Sequence, residues 1–327
     1  AGTYRKVQTA KQSYRTYRKH TLRKTMDFLI FFTAMAGLVY GADFIIKESE
    51  RIALHYNISH FVIGATLVAF GTSLPEMAAS MMASGYGKSD LAVANVIGSV
   101  SFNITLVLGL VFLIAKKMNP KRDLFAKDSA WILMPVMITM LMSLDGKMSR
   151  IDGFIFLFMM LAYLLFLFKD AKEDLEGEID TDLAKEKFNW FKSIFLLTIG
   201  FMLTIGGAHF VVESASSIAR MFGVSEWIIG LFLVSLGTSL PELVVSLVAV
   251  QKGHADLSIG NIIGSNVANF SMVLGGAAMI SPLLIDLREN YFDISIMICA
   301  SIALLLILAN KLYNKAGAVF LLIILAL

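Results

Sequence analysis

Two identical hexapeptides hold the most reactive side chains of this chain: Gly-Thr-Ser-Leu-Pro-Glu at 71–76 and again at 237–242. Each offers two hydroxyls, one carboxylate and one proline. Pro75 has no N–H for the carbonyl four residues earlier, that of Gly71. The spacing therefore predicts a kinked or broken helix with carbonyl oxygens released around Ala69 to Thr72. The second copy predicts the same around Pro241, with Thr238, Ser239, Glu242 and the carbonyls near Ser235. With Thr72, Ser73 and Glu76 these make two sets of oxygen donors, the kind that hard cations such as Na⁺ and Ca²⁺ select. Neither hexapeptide supplies Cys or His, which disfavours a soft-metal site. Two glutamates brought together repel unless a cation or a proton sits between them. Ionised, they match the charge of one Ca²⁺.

A second pair of segments follows. Ala94–Gly109 reads ANVIGSVSFNITLVLG and Gly260–Gly275 reads GNIIGSNVANFSMVLG. Ser99 and Asn103 are four apart, as are Ser265 and Asn269, so on a helix each pair shares a face. All four are candidate ligands or supports of ligands. Gly109 and Gly275 read as close-packing positions between helices.

These polar residues stand in a strongly apolar chain of 327 residues, 57% hydrophobic and 16% charged, with 18 methionines that read as packing residues. The mean hydropathy is +0.72. A soluble domain carries about 25% charged residues, and here the deficit falls in long runs, several approaching the roughly 20 residues that cross a bilayer. Segments apolar on every side do not suit a soluble helical protein. The runs predict an all-α membrane protein with ten spans, near 27–46, 60–84, 89–115, 130–145, 153–169, 193–214, 226–251, 256–281, 291–310 and 314–327. The single Cys299 excludes an internal disulfide framework. No phosphate-binding glycine loop, organic cofactor motif or nucleic-acid pattern appears, so the expected partners are the lipid bilayer and cations.

Shifting the chain by 166 positions lays one half on the other without a gap around the motifs. Gly41–Ala42 falls on Gly207–Ala208, Ile63–Gly64 on Ile229–Gly230, and Glu76 on Glu242. Equivalent residues lie five spans apart, an odd number, so the second copy enters the membrane in the opposite sense. Such inverted repeats are typical of secondary transporters that bind substrate at the repeat interface near the midplane. The expected organisation is a basic segment at 1–25, a first five-helix repeat at 26–169, a hydrophilic linker at 170–192 and a second repeat at 193–327. The basic segment fits a transit peptide, a cytoplasmic arm or an added sequence. Lys and Arg in the loops after odd-numbered spans outnumber those after even-numbered ones by fifteen to five. That places the linker in the cytoplasm and both termini outside a cell membrane, although the basic segment alone pulls the other way.

The paired GTSLPE segments and the paired G-N-x-I-G-S-N-type segments resemble the two alpha repeats of the Na⁺/Ca²⁺ exchanger family, within the calcium/cation antiporter superfamily. The similarity runs from about Met26 to the end. It implies ten helices, with spans 2, 3, 7 and 8 as a compact core across which spans 1 and 6 slide. It implies Thr72, Ser73, Glu76, Ser99, Asn103, Thr238, Ser239, Glu242, Ser265 and Asn269 as ligands, with backbone carbonyls from Ala69 and Ser235. The implied activity is exchange of Ca²⁺ for Na⁺ by alternating access, with no catalytic chemistry and no organic cofactor, in a protein functional as a monomer. Two departures stand out. Asn269 occupies a position where several relatives carry Asp, and Ala94 and Val100 replace the commoner Gly and Asn. A proton-coupled or other divalent exchanger and a cation channel are the alternatives. The proton-coupled glutamate motif GNATE is absent, which favours Na⁺. A hydrolase built on Ser73 or Ser239 lacks a paired base: His209, the nearby candidate, falls on Asp43 in the first half.

Overall fold

A computed structural model describes residues 2–115, 118–170, 188–225, 235–286, 288 and 290–326, with side chains described from 26 onward except at 170, 235 and 236. Most of the predicted linker, the first nine residues of the seventh predicted span and the side chains of the basic segment lie outside that set.

Long apolar runs close their own backbone hydrogen bonds as helices, the one local solution open to them in hydrocarbon. In chain order the helices are α1 (Gly2–Tyr56), α2 (His60–Thr72), α3 (Leu74–Gly85), α4 (Ser89–Ile114), α5 (Leu124–Met142) and α6 (Arg150–Asp170). After the linker come α7 (Trp190–Met221), α8 (Ser235–Gln251), α9 (Ala255–Ile280), α10 (Tyr291–Ala309) and α11 (Lys315–Leu325). Among the described residues seven helices are long and apolar enough to cross a membrane, or eight if the bent pair α2–α3 is one span. α8 and α11 are shorter apolar helices. Polar caps mark several starts: Ser59 accepts from Val62 N–H before α2, Asp123 from Ala126 N–H before α5, and Asn314 from Ala316 N–H before α11.

Two seams hold the helices in place. Along the first, α1 and α7 meet backbone to backbone. A Cβ on Gly41 would lie 2.7 Å from the Gly200 carbonyl oxygen, and one on Gly207 would lie 2.9 Å from the Ala34 carbonyl oxygen. Ala34 is the counterpart of Gly200 at the offset of 166, so the two contacts are mirror copies. In the second seam, between α2 and α9, a Cβ on Gly260 would meet the Phe61 oxygen at 2.3 Å and one on Gly264 the Ala65 oxygen at 2.4 Å. Four residues on one helix answer to four on the other, so α2 and α9 run side by side in the same direction. Only glycine permits such approach.

Connections between helices meet in two separate sets. At one end Trp190 Nε1 donates to Tyr56 at 2.7 Å, the His60 and His254 rings lie 5.1 Å apart, and Lys121 N–H donates to Asp256 at 3.3 Å. At the other end Ser84 donates to the Ala277 carbonyl at 2.6 Å and Ser217 to Asp27 at 2.6 Å. Two short strands, β1 (Lys147–Met148) and β2 (Leu283–Leu284), pair antiparallel there.

At the first end Arg122 is buried and grips Asp128 through two bonds, Nε to Oδ2 at 2.7 Å and Nη2 to Oδ1 at 3.0 Å. Its guanidinium lies 4.5 Å above the Phe61 ring. This fork locks the approach to α5 onto the start of α2.

Candidate cation site

The first hexapeptide breaks its helix as its proline requires. α2 ends at Thr72, α3 begins at Leu74, and the two axes differ by 47°. Ser73 is the hinge, at φ −83° and ψ 5°. Pro75 then sits in the first turn of α3, where its missing N–H costs nothing. The break places Glu76 in that same first turn, against the positive end of the helix dipole.

Two expectations need correction. The Ala69 carbonyl is not released: it accepts from Ser73 N–H at 3.0 Å. One further helical bond forms before the chain reaches Pro75. The second hexapeptide does not break either. α8 runs unbroken from Ser235 to Gln251 with Pro241 inside it. A helix can absorb one missing donor as a bend in place of a break. The identical sequences have different neighbours on α7: the Phe201 ring lies on Gly71, while Val212 lies on Gly237. Ser235 lies at the start of α8, and its side chain falls outside the described residues.

The two halves meet at these motifs. Ser73 donates to Glu242 Oε1 at 3.2 Å across the repeat boundary. Thr72 stands beside Glu242, and its counterpart Thr238 stands beside Glu76. The two glutamates lie close enough for their charges to interact, and both are buried, at 1% and 0% exposed. No lysine or arginine among the described residues pairs with either. Two unpaired carboxylates in an apolar interior are costly by several kcal/mol each, so the site requires cations or protons.

Thr72, Ser73, Ser99, Asn103, Ser239, Ser265, Asn269 and Ala69 are all buried, while Thr238 is partly buried. Several have polar atoms with nothing to bond. Both oxygens of Glu76, Oε2 of Glu242, Oδ1 of Asn103, the hydroxyls of Ser239 and Ser265, and both amide atoms of Asn269 are buried without a hydrogen bond. Buried polar atoms are nearly always satisfied. More than half of the unsatisfied side-chain atoms among the described residues belong to the predicted set. All but one are oxygens, the chemistry a hard cation takes.

Three residues outside the predicted set bond to the candidate ligands or to their neighbours. Asn261 accepts from Thr72 at 3.3 Å and donates to Ser246 at 3.0 Å. Asn95, its counterpart, donates to Ser80 at 2.9 Å and to the Glu76 carbonyl at 3.4 Å. The repeat carried the signal, because Asn95 falls on Asn261 and Ser80 on Ser246 at the same offset. Asn266 accepts from Asn103 Nδ2 at 3.1 Å, which leaves the Asn103 oxygen for a ligand. Its counterpart is Val100, so the repeat gave no signal for it. Helical distortion marks the same places. π-helical turns occupy Gly64–Val68, Asn103–Val107 and Asn269–Leu274, and two of them start on a predicted ligand.

Known proteins resemble the chain over nearly its whole length. The profile of the family described as sodium/calcium exchanger protein matches residues 26–169 and 192–327. An uncharacterized membrane protein of Methanocaldococcus jannaschii is 37% identical over 287 residues, covering 88% of this chain and 90% of its own. The sodium/calcium exchanger MaX1 of Methanosarcina acetivorans is 30% identical over 324 residues, covering 88% and 92%. A solved structure of the sodium-calcium exchanger NCX_Mj, soaked with Na⁺ and Sr²⁺, superposes with a TM-score of 0.79 at 31% identity, covering 93% of this chain and 97% of that one.

Proposed function

The chain belongs to the sodium/calcium exchanger protein family, and from that premise we propose that it is a secondary antiporter moving Ca²⁺ against Na⁺ through the site between its two halves. The observation that carries this reading is the cluster of buried oxygens without partners around Glu76 and Glu242. Na⁺ and Ca²⁺ draw on the same oxygens, so one excludes the other, and a carrier that reorients only when loaded couples their gradients.

In this reading the ligands are Thr72, Ser73, Glu76, Ser99 and Asn103 from the first half and Thr238, Ser239, Glu242, Ser265 and Asn269 from the second. Ser235 contributes a backbone oxygen, and the Ala69 carbonyl, already bonded to Ser73 N–H, is left out of the set. All of them come from one chain, which suits a monomer.

We read the chain as ten spans in two inverted repeats, 26–169 and 193–327. The parallel course of α2 and α9 supports this. α9 is the counterpart of α4, which follows α2 and α3 back across the membrane. Inverting the second repeat is what turns α9 to run with α2. The sorting of the connections into two ends agrees, because among the described residues odd-numbered loops meet odd ones and even meet even. The linker end carries the excess of Lys and Arg and is read as cytoplasmic. α1 and α7, joined through bare glycine backbone, form the pair that slides on the core.

The test uses proteoliposomes loaded with Na⁺. Removal of external Na⁺ drives Ca²⁺ uptake, and K⁺ or H⁺ gradients of equal size do not replace it. Glu76→Gln or Glu242→Gln abolishes the uptake. Full exchange in the double glutamine variant overturns the assignment.

A further inference from the structure

A second group of ligands lies at the linker end, away from the glutamate pair. Glu50 near the end of α1, His60 opening α2 and His254 just before α9 bring three ligand atoms within 4.8 Å of one another. Glu50 is buried, at 3% exposed, and both histidines are partly buried. Glu50 Oε2 stands 3.4 Å from His254 Nε2, and the two imidazole rings are 5.1 Å apart.

An ordinary ion pair accounts for His254 and Glu50. It does not account for His60, whose Nε2 is buried with no hydrogen bond. An imidazole nitrogen facing a carboxylate and a second imidazole lacks only an acceptor of its lone pair. Two imidazoles and a carboxylate are the ligand set of an open tetrahedral zinc site, with metal–ligand bonds of about 2.0–2.1 Å and neighbouring ligands about 3.4 Å apart. The Glu50–His254 spacing already has that value. The two edges to His60 are no longer than 4.8 Å and shorten when an ion draws the three ligands together. Hard cations avoid imidazole, so Na⁺ and Ca²⁺ are poor occupants.

We propose that Glu50, His60 and His254 bind a borderline divalent cation of the Zn²⁺ class, at a site separate from the transported ions. The three ligands come from three elements. A bound ion therefore fastens α1 to α2 and α9, the helices that carry Thr72, Ser265 and Asn269. Lys252, in the same α8–α9 connection as His254, already pairs with Asp43 of α1. A metal adds a second and stronger tie between the same parts. The effect on transport rests on the exchanger reading above. The binding does not.

Zn²⁺ alone is the probe, titrated calorimetrically into the untagged full-length chain in detergent, with zinc-edge X-ray absorption on the complex. The expected result is one Zn²⁺ per chain with nitrogen and oxygen neighbours. His254→Ala and His60→Gln each weaken binding by at least about tenfold, since even outer-shell changes at metal sites cost that much. Excess Ca²⁺ leaves Zn²⁺ binding unchanged, as does Glu242→Gln. Circular dichroism confirms that each variant folds. Zn²⁺ binding that survives both histidine changes, or that is lost with Glu242→Gln, overturns the proposal. In proteoliposomes, Zn²⁺ slows Na⁺-driven Ca²⁺ uptake by the parent chain and not by His254→Ala. Equal slowing of both overturns the fastening. If the parent takes up no Ca²⁺ at all, the exchanger reading fails while the titration still decides the metal site.

Discussion

The Ser73 hydroxyl donates to Glu242 at 3.2 Å, joining the hinge of one half to the carboxylate of the other. Hydrogen bonds to charged groups contribute about 1.5–3 kcal/mol, equivalent to roughly ten- to hundredfold in binding. Ser73→Ala is expected to weaken the apparent Ca²⁺ affinity of Na⁺-driven uptake by at least about tenfold. Glu242 keeps its charge, so transport persists at high Ca²⁺. An affinity equal to that of the parent would remove Ser73 from the site.

Asn269→Asp adds a third carboxylate where both amide atoms already lack partners. The two side chains have nearly the same shape, so the exchange costs little packing. Ca²⁺ affinity in oxygen sites follows ligand charge. The variant is expected to bind Ca²⁺ severalfold more tightly and to raise the number of Na⁺ needed to displace it. The measurement is the Na⁺ dependence of Ca²⁺ release at fixed Ca²⁺. Unaltered competition would place residue 269 outside the ligand shell.

Gly41 and Gly207 hold α1 against α7 with no room for a side chain, since a Cβ on Gly41 would lie 2.5 Å from the Thr204 hydroxyl. Gly41→Val and Gly207→Val are expected to destabilise by about 1–3 kcal/mol, visible as a lower midpoint of thermal unfolding in detergent. On the proposal that α1 and α7 slide together, transport should fall further than stability alone explains. Normal flux in a folded Gly41→Val protein would argue against sliding there.

Arg122 and Asp128 form a buried two-bond pair. Removing one partner strands a buried charge, worth about 3–5 kcal/mol. Asp128→Asn should therefore lower thermal stability strongly. Replacing both, as Arg122→Met with Asp128→Leu, should recover much of the loss. Arg122→Lys should recover little, because an ammonium cannot match the fork. A double variant no more stable than the single one would show that the pair does more than satisfy itself.

Much of the candidate site was legible in the sequence because duplication printed it twice. Thr72, Ser73, Glu76 and their counterparts fell into register at an offset of 166, and Pro75 announced the break at Ser73. Pro241 announced one that did not form. Nothing inside the hexapeptide distinguishes the copies, and the Phe201 ring on Gly71 against Val212 on Gly237 is a tertiary difference. Asn266 was illegible for a related reason. It supports Asn103 from the other half, at a position where the first repeat has Val100. The π turns left no mark in hydropathy, since an extra residue in an apolar helix is still apolar.

Two of those turns recur at matched places. A π turn accommodates one inserted residue in a helix, and both Asn103–Val107 and Asn269–Leu274 begin at equivalent asparagines. The surrounding blocks align without a gap, so neither repeat gained a residue there that the other lacks. The distortion therefore belongs to both copies alike, and each carries an asparagine at its bend.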